Sequence, residues 1–307
     1  FVLIGIFYLL RMNKQESRMK TLPLVSVVIP VYNAEKFISK CLEHLVHQTY
    51  DNLEIIVVDD GSKDGTVDVC AKYAKSDKRV HIIRQKNGGP SVALNAGLDA
   101  ARGQWVHFHD HDDFVNLDFF EKMMNVAVLT DADILCGEVN QPEYNFPRFE
   151  HVEILVSLKD KILKTGANKL NPAWRYVYKK SFLDKIGLKY EPDVFGAQDV
   201  FFTKPAIVLA HTVATVPGAI YNVVNTPTAL GKSHKLLKDK NDNDSVRAVY
   251  QKYDKFLMEH GAFELMNMPE QPYKVSELRV FNMVVAKRAM FYNKTRYYLF
   301  GINIGTR

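Results

Sequence analysis

Cysteine is scarce in this 307-residue chain. Cys41, Cys70 and Cys136 stand singly, with no C-x-x-C pair among them. That spacing argues against a disulfide framework or a cysteine-rich zinc site, fits a reducing compartment, and predicts three small buried hydrophobes. Nucleotide-cradling glycine motifs are missing as well. No G-x-G-x-x-G follows the first apolar strand, and no G-x-x-x-x-G-K-[ST] occurs anywhere. A dinucleotide oxidoreductase and a P-loop enzyme are thereby excluded. There is no internal repeat at a period of about 20–50 residues and no low-complexity tract, so a solenoid is excluded too.

Long hydrophobic runs are also lacking. The apolar stretch FVLIGIFYLL, residues 1–10, is half the length of the about 20 residues a spanning helix needs. Its basic residues (Arg11, Lys14, Arg18 and Lys20) follow the apolar run instead of preceding it, and no small-residue cleavage site comes after them. The pattern is not that of a secretory signal. Residues 1–20 are expected to be an extension outside the fold, either upstream sequence or the end of an anchor.

What is present is an alternation of short apolar runs with helical patterns. VSVVIPV (residues 25–31) and LEIIVVD (53–59) read as buried strands, rich in β-branched residues. Phe37, Ile38, Cys41, Leu42, Leu45 and Val46 recur at helical spacing. Further helices are expected over 66–76, 91–101 and 118–130, and further strands over 80–84, 105–109 and 132–137. This spacing predicts a mostly parallel α/β sheet flanked by helices, with ligands bound beyond the carboxyl ends of its strands. Four polar turns follow successive strands and so fall on one rim: Pro30 to Asn33, Asp59 to Ser62, Asn87 to Pro90, and Asp110 to Asp113.

The chemistry of those turns is acidic. Asp110, Asp112 and Asp113 are crowded directly after a buried strand, where they repel one another unless a cation intervenes. All-oxygen ligands suit Mg²⁺ or Mn²⁺ shared with substrate phosphates. Alternate residues of an extended segment face one way, so Asp110 and Asp112 are expected to reach one diphosphate together. The plainer alternative is a solvated acidic turn capping the helix near Asp118. Asp60 offers a carboxylate that accepts the imide N–H of a uracil or a ribose hydroxyl proton.

Two stretches, VSVVIPVYNAEKFISKCLEHLVHQTYDNLEIIVVDDGSKDGT and NGGPSVALNAGLDAARGQWVHFHDHDD, resemble the family 2 glycosyltransferases, which have the GT-A fold. The likeness is dense over residues 24–115, looser over 165–235, and absent beyond about 240. It implies that Pro30, Tyr32, Asn33 and Glu35 form the first nucleotide-contacting turn and that Asp60 pairs with the donor base. Asn87, Gly88 and Gly89 then form the loop beneath the nucleotide, Asp110 lies near the ribose and Asp112 on the metal. Asp199, in GAQDV, stands where the family has its catalytic base. Trp174, in WRYVYKKSFL, stands beside the acceptor site, where it stacks on a sugar face. His234, in GKSHK, falls where a closing loop completes the metal site or touches the diphosphate, unless it is a solvent-facing loop histidine. Three departures stand out: Gln198 replaces a glutamate, Leu94 stands where arginine is common, and His111 replaces the small residue inside D-x-D.

The resemblance implies an inverting, metal-dependent transfer of a sugar from a nucleotide donor, UDP-linked by expectation, to an acceptor hydroxyl. A nucleotidyltransferase is the sister reading, but VYNAEKF lacks the glycine- and basic-rich signature of that class. An inactive nucleotide-sugar binding module is the third reading, against which Asp110, Asp112 and Asp199 all speak. The expected organisation is a catalytic domain over 21–235, with a nucleotide half (21–138) and an acceptor half (139–235), then a helical region over 236–307.

The net charge of +5 is concentrated at that end. From Tyr273 onward seven Lys or Arg (Lys274, Arg279, Lys287, Arg288, Lys294, Arg296 and Arg307) face one acid, Glu277, with seven aromatics interleaved. This mixture suits an anionic membrane surface. Phosphate contacts and stacking would serve nucleic acid in the same way, and a helix packing its aromatics on the core is the blander alternative. With the glycosyltransferase resemblance, the expectation is a glycan or lipid-linked acceptor, peripheral contact with the inner membrane face from the cytoplasm, and no nucleic-acid partner.

Overall fold

The computed structural model describes residues 22–140, 146–168, 172–194, 198–224 and 244–266, and the backbone of four strands between 274 and 306. Its centre is β1 (Val25–Val31) and β2 (Leu53–Asp59), buried along nearly their whole length. They pair in parallel from Val25 opposite Leu53 to Val31 opposite Asp59. β3 (Val80–Arg84) joins β2 and β4 (Trp105–Phe108) joins β1, both in parallel. Strands buried on both faces must be apolar at successive positions, which is why these runs do not alternate.

Alternate residues of β1 and β2 feed two cores. Val27, Ile29, Ile55 and Val57 pack with Cys41, Leu42 and Leu45 of α1 (Ile38–Val46) and with Cys70 of α2 (Thr66–Ser76). Val28, Ile56 and Val58 pack on the opposite face against Ala93, Leu94 and Leu98 of α3 (Pro90–Ala100). All three cysteines are buried and free. Deep in β2, the carboxylate of Glu54 accepts hydrogen bonds from Ser26 Oγ, from the Arg102 and Gly103 N–H groups and from Arg102 Nε, and so ties β1 and β2 to the start of β4.

The second half contains β5 (Phe114–Val115), α4 (Phe119–Thr130), β6 (Ile134–Val139), β7 (Ile154–Leu155), α5 (Leu158–Thr165), a 3-10 turn (Ala173–Arg175) and β8 (Tyr176–Lys179). α6 (Lys180–Ile186), α7 (Gln198–Leu209) and β9 (Val213–Asn222) complete it. One nine-stranded sheet runs β3-β2-β1-β4-β8-β6-β9-β5, with β7 on β9. The expected α/β sheet is present, but it is parallel only from β3 to β4 and is mixed beyond. β8 runs antiparallel to both β4 and β6, and β9 antiparallel to β5 and β7. Hydrophobic period identifies a strand but carries no information about its direction, which is why the expectation of a mostly parallel sheet went too far.

Helices α8 (Asp244–Glu259) and α9 (Phe263–Met266) agree with the helical expectation for the C-terminal region. Beyond them that expectation is corrected. β10 (Lys274–Val280), β11 (Met283–Phe291), β12 (Lys294–Leu299) and β13 (Ile302–Thr306) form a four-stranded antiparallel sheet in sequence order. Val275, Val280, Val284, Val285, Thr295, Tyr297 and Tyr298 favour extended backbone, and two-residue intervals between consecutive strands match hairpin connections. Among the described residues no helix is long and apolar enough to cross a membrane.

Candidate active site

The four rim turns do converge. Pro30 at the end of β1 and Tyr32 just after it, Asp60 after β2, Asn87 and Gly89 before α3, and Asp110 and His111 after β4 line one cleft of about 490 Å³. The opposite wall comes from the second half of the sheet: Ala173 and Trp174 of the 3-10 turn, Tyr190, and Gln198 and Asp199 in the first turn of α7.

Asp60 organises the end of the cleft next to β2. Its Oδ1 accepts hydrogen bonds from Gln85 Nε2 and the Gly88 N–H, each at 2.8 Å, and its Oδ2 accepts one from the Gly89 N–H at 2.8 Å. Backbone amides ahead of α3 are thereby satisfied by a carboxylate, the anion that a helix N-terminus favours. Gly61 allows the approach: its φ is +79°, and a Cβ there would stand 3.0 Å from the Asn87 amide nitrogen.

Asn33 and Glu35 are placed differently from the expectation. Neither lines the cleft. Asn33 adopts a left-handed φ of 51°, its N–H donates to Ser62 Oγ and its Oδ1 accepts from the Lys63 N–H at 2.8 Å. Glu35 Oε2 accepts from the Gly65 N–H at 3.1 Å. Both brace the β1 turn against the β2 turn from behind. A short polar side chain that tolerates positive φ and bonds locally is well suited to that bracing.

The acidic turn is closed by the Asp113 N–H donating to the Asp110 carbonyl. Because the chain turns there, Asp110 and Asp112 do not share a face as in an extended strand. Asp110 lines the cleft with His111, whereas Asp112 is half-buried and does not. Asp113 turns inward, accepting from the Val224 N–H at 2.7 Å and from the Tyr221 hydroxyl. The Tyr221 oxygen in turn accepts the Asp110 N–H at 3.1 Å.

Electrostatics follows from this crowding. Desolvation within the cleft, then the charges of Asp113, Asp199 and Asp112, pushes Asp110 above the usual carboxylate range, although the residue is exposed at the surface of the cleft. Burial, with the charge of Asp112 added, pushes Asp113 up to about 7 against its two hydrogen bonds. Burial also pushes Asp199 up to about 6, opposed by a hydrogen bond from the Ala173 N–H. Behind the turn, His107 Nδ1 donates to the Tyr176 carbonyl at 3.0 Å, and His107 Nε2 lies 3.2 Å from His109 Nδ1. Burial lowers His107 to about 4 and His109 well below its ordinary value, so both are neutral core histidines.

Among the described residues no group of three or more His, Cys, Asp or Glu converges to hold a metal unaided. An open, all-oxygen donor set with too few protein ligands fits Mg²⁺ or Mn²⁺, which completes its shell with substrate phosphates and water. It does not fit a closed structural site. His234 lies outside the described residues.

Trp174 lines the cleft, but one face of its indole stacks on Tyr221, with centroids 4.3 Å apart and planes 18° from parallel. Arg175 beside it is fully buried. Its guanidinium donates to the carbonyls of Gly137, Thr165 and Pro147 and lies 4.6 Å from the Phe146 centroid. Sequence reasoning missed Tyr190 and Tyr221 as wall and hub. Neither had a signal beyond strand or loop composition.

Residues 26–189 match the sequence model of glycosyl transferase family 2, more than half of the chain. The chain belongs to glycosyl transferase family 2. Over 217 residues the enzyme is 33% identical to the uncharacterized glycosyltransferase EpsJ of Bacillus subtilis, a match covering 68% of this chain and 63% of EpsJ. Its fold is similar to that of S. aureus TarS residues 1–349, with a TM-score of 0.58 and 24% identity over 80% of this chain and 73% of that one. TarS has also been solved with UDP and with UDP-GlcNAc. The mannosyltransferase PcManGT from Pyrobaculum calidifontis, solved with GDP-Man and Mn²⁺, gives a TM-score of 0.52 at 20% identity, covering 84% of this chain and 80% of that one.

Proposed function

We propose that this glycosyltransferase is an inverting, metal-dependent enzyme that takes its sugar from a UDP-linked donor and transfers it to a hydroxyl of a glycan or lipid-linked acceptor. The observation that carries this is the position of Asp199, which lines the same cleft as Asp60 and Asp110 although it comes from α7 in the second half of the chain. A donor spanning the cleft has its base near Asp60 and Asn87, its ribose and diphosphate near Asp110, and its anomeric carbon toward Asp199. Asp60 supports the uracil assignment: a carboxylate has about four lone-pair sites, and the three N–H donors leave one for the imide proton.

Asp199 takes the proton of the acceptor hydroxyl as the oxygen attacks the anomeric carbon, and the bond to the diphosphate breaks with its electron pair leaving on UDP. A carboxylate raised to about 6 is ionised at neutral pH yet more basic than an exposed aspartate. The Ala173 N–H keeps it oriented. Trp174 offers its remaining aromatic surface to the acceptor. Bound Mn²⁺ or Mg²⁺ supplies Lewis-acid stabilisation of charge developing on the departing diphosphate. The basic, aromatic strands β10 to β13 support contact with an anionic membrane face; absence of flotation with anionic vesicles would remove it. Calorimetric titration with UDP and a turnover assay of Asp199→Asn test the core of this reading. Binding is expected to survive and transfer to be lost, and a fully active variant would remove Asp199 from the role.

A further inference from the structure

The cleft contains two buried polar atoms that the roles above leave unused. The hydroxyl of Tyr190 and Oε1 of Gln198 are both shut off from solvent with no hydrogen-bond partner among the described residues. Both residues line the cleft beside Asp199. Tyr190 is only 1% exposed. Its ring is locked: it stacks on Phe202 with centroids 4.2 Å apart and planes 7° from parallel, and meets Phe108 edge-on at 5.1 Å. The hydroxyl therefore cannot swing away to find a partner. After burial, the charges of Asp199 and Asp110 are among the influences that raise it, so it sits within the field of both carboxylates.

A buried hydroxyl or amide carbonyl left unpaired destabilises the ligand-free fold. Two such atoms lining one cleft, that of Tyr190 held by rigid packing, suit a ligand that supplies the missing partners. The donor assignment above puts the transferred sugar between Asp110 and Asp199. Resting on that assignment, we propose that Tyr190 and Gln198 are specificity-determining residues that hydrogen-bond the transferred sugar itself, not the nucleotide. Gln198 Oε1 only accepts, so its partner is a donor on the sugar, either a ring hydroxyl or the N–H of an acylamino substituent. Tyr190 accepts or donates and pairs with a second hydroxyl. The pair presents a neutral amide and a phenol, chemistry that selects a neutral, hydroxylated hexose or acylamino-hexose. A site built to pair such a hydroxyl strongly rejects the analogue that lacks it, because its own polar atoms are then left bare.

Tyr190→Phe removes one oxygen and keeps the stack on Phe202. Binding of UDP and of UDP-glucose, UDP-galactose and UDP-N-acetylglucosamine, with Mn²⁺ present, is measured for both proteins. The unaltered enzyme is expected to prefer one of these nucleotide sugars over UDP. In the variant UDP affinity is expected to hold, while affinity for the preferred nucleotide sugar falls roughly 10-fold. Melting of the ligand-free variant is expected to be unchanged or higher, since an unpaired buried hydroxyl has gone. Gln198→Met is expected to show the same selective loss. Equal weakening of UDP and nucleotide sugar, or no weakening of either, would overturn the inference while leaving the donor assignment intact. An unaltered enzyme that binds UDP but gains nothing from any attached sugar would overturn the donor assignment, and this inference with it.

Discussion

Replacing Asp199 by asparagine is expected to make the ligand-free protein more stable while removing its activity. Burial holds the carboxyl up to about 6, roughly two units above the 3.9 of an exposed aspartate. At about 1.4 kcal/mol per unit, the ionised side chain costs the fold up to about 3 kcal/mol. The sign follows from proton binding. Below pH ~4 the folded and unfolded chains both carry the proton, and Asp199 adds no cost. Between pH ~4 and ~6 the folded state holds a proton that the unfolded state has released, so stability falls as pH rises. Above pH ~6 both are ionised and the deficit is constant. Asparagine is neutral throughout and still accepts the Ala173 N–H, so it removes the slope. Urea denaturation of both proteins between pH 4 and 8 reads this directly. The variant is expected to gain ~1–3 kcal/mol at pH 7.5, or about 2–4 °C in melting temperature per kcal/mol, and nothing near pH 4. Its kcat/KM should be lower by roughly 10²–10⁴-fold, the range for general-base help. In the unaltered enzyme kcat/KM should rise with pH through about 6. A variant no more stable at pH 7.5, with an unchanged pH slope, would refute the claim that burial of this carboxylate is what makes it basic.

Asp60→Asn sets an NH₂ group against at least one of the three N–H donors, and should cost about 1–3 kcal/mol in urea denaturation together with a loss of UDP affinity; unchanged UDP binding would remove Asp60 from the base-recognition role. Gly97→Ala drives a Cβ to 2.2 Å from Val28 Cγ1, where α3 lies on β1. Its expected cost is about 1–3 kcal/mol, read in a melting scan, and a neutral result would show that α3 can shift without disturbing the cleft. Chelation of divalent cations should weaken UDP binding, and Asp112→Asn should raise the Mn²⁺ concentration needed for half-maximal turnover; donor affinity indifferent to both would end the role assigned to the acidic turn.

Legibility in the sequence tracked the range of the interaction. The bounds of β1 and β2 agree with the apolar runs because a strand buried on both faces must be apolar throughout. The rim position of Asp60 and Asp110 was legible for a related reason, as residues at strand ends of a doubly covered sheet share one rim. Asn33 and Glu35 misled because a polar residue at a rim turn can face the ligand or hold the turn, and only the partners Lys63 and Gly65, thirty residues away, decide which. The D-x-D alternation misled because the Asp113 to Asp110 hydrogen bond replaces extended backbone by a turn.

By itself the sequence determined that this chain folds as an α/β sheet and where the four acidic and polar turns of its first half lie. Those properties follow from side-chain period and local backbone preference, which act over a few residues. Only the tertiary structure decided that β8 runs antiparallel, that β10 to β13 form a sheet, that Trp174 has given one face to Tyr221, and that the Tyr190 hydroxyl has no hydrogen-bond partner among the described residues. Each of these depends on contacts between residues far apart in the chain, where no local pattern records the partner.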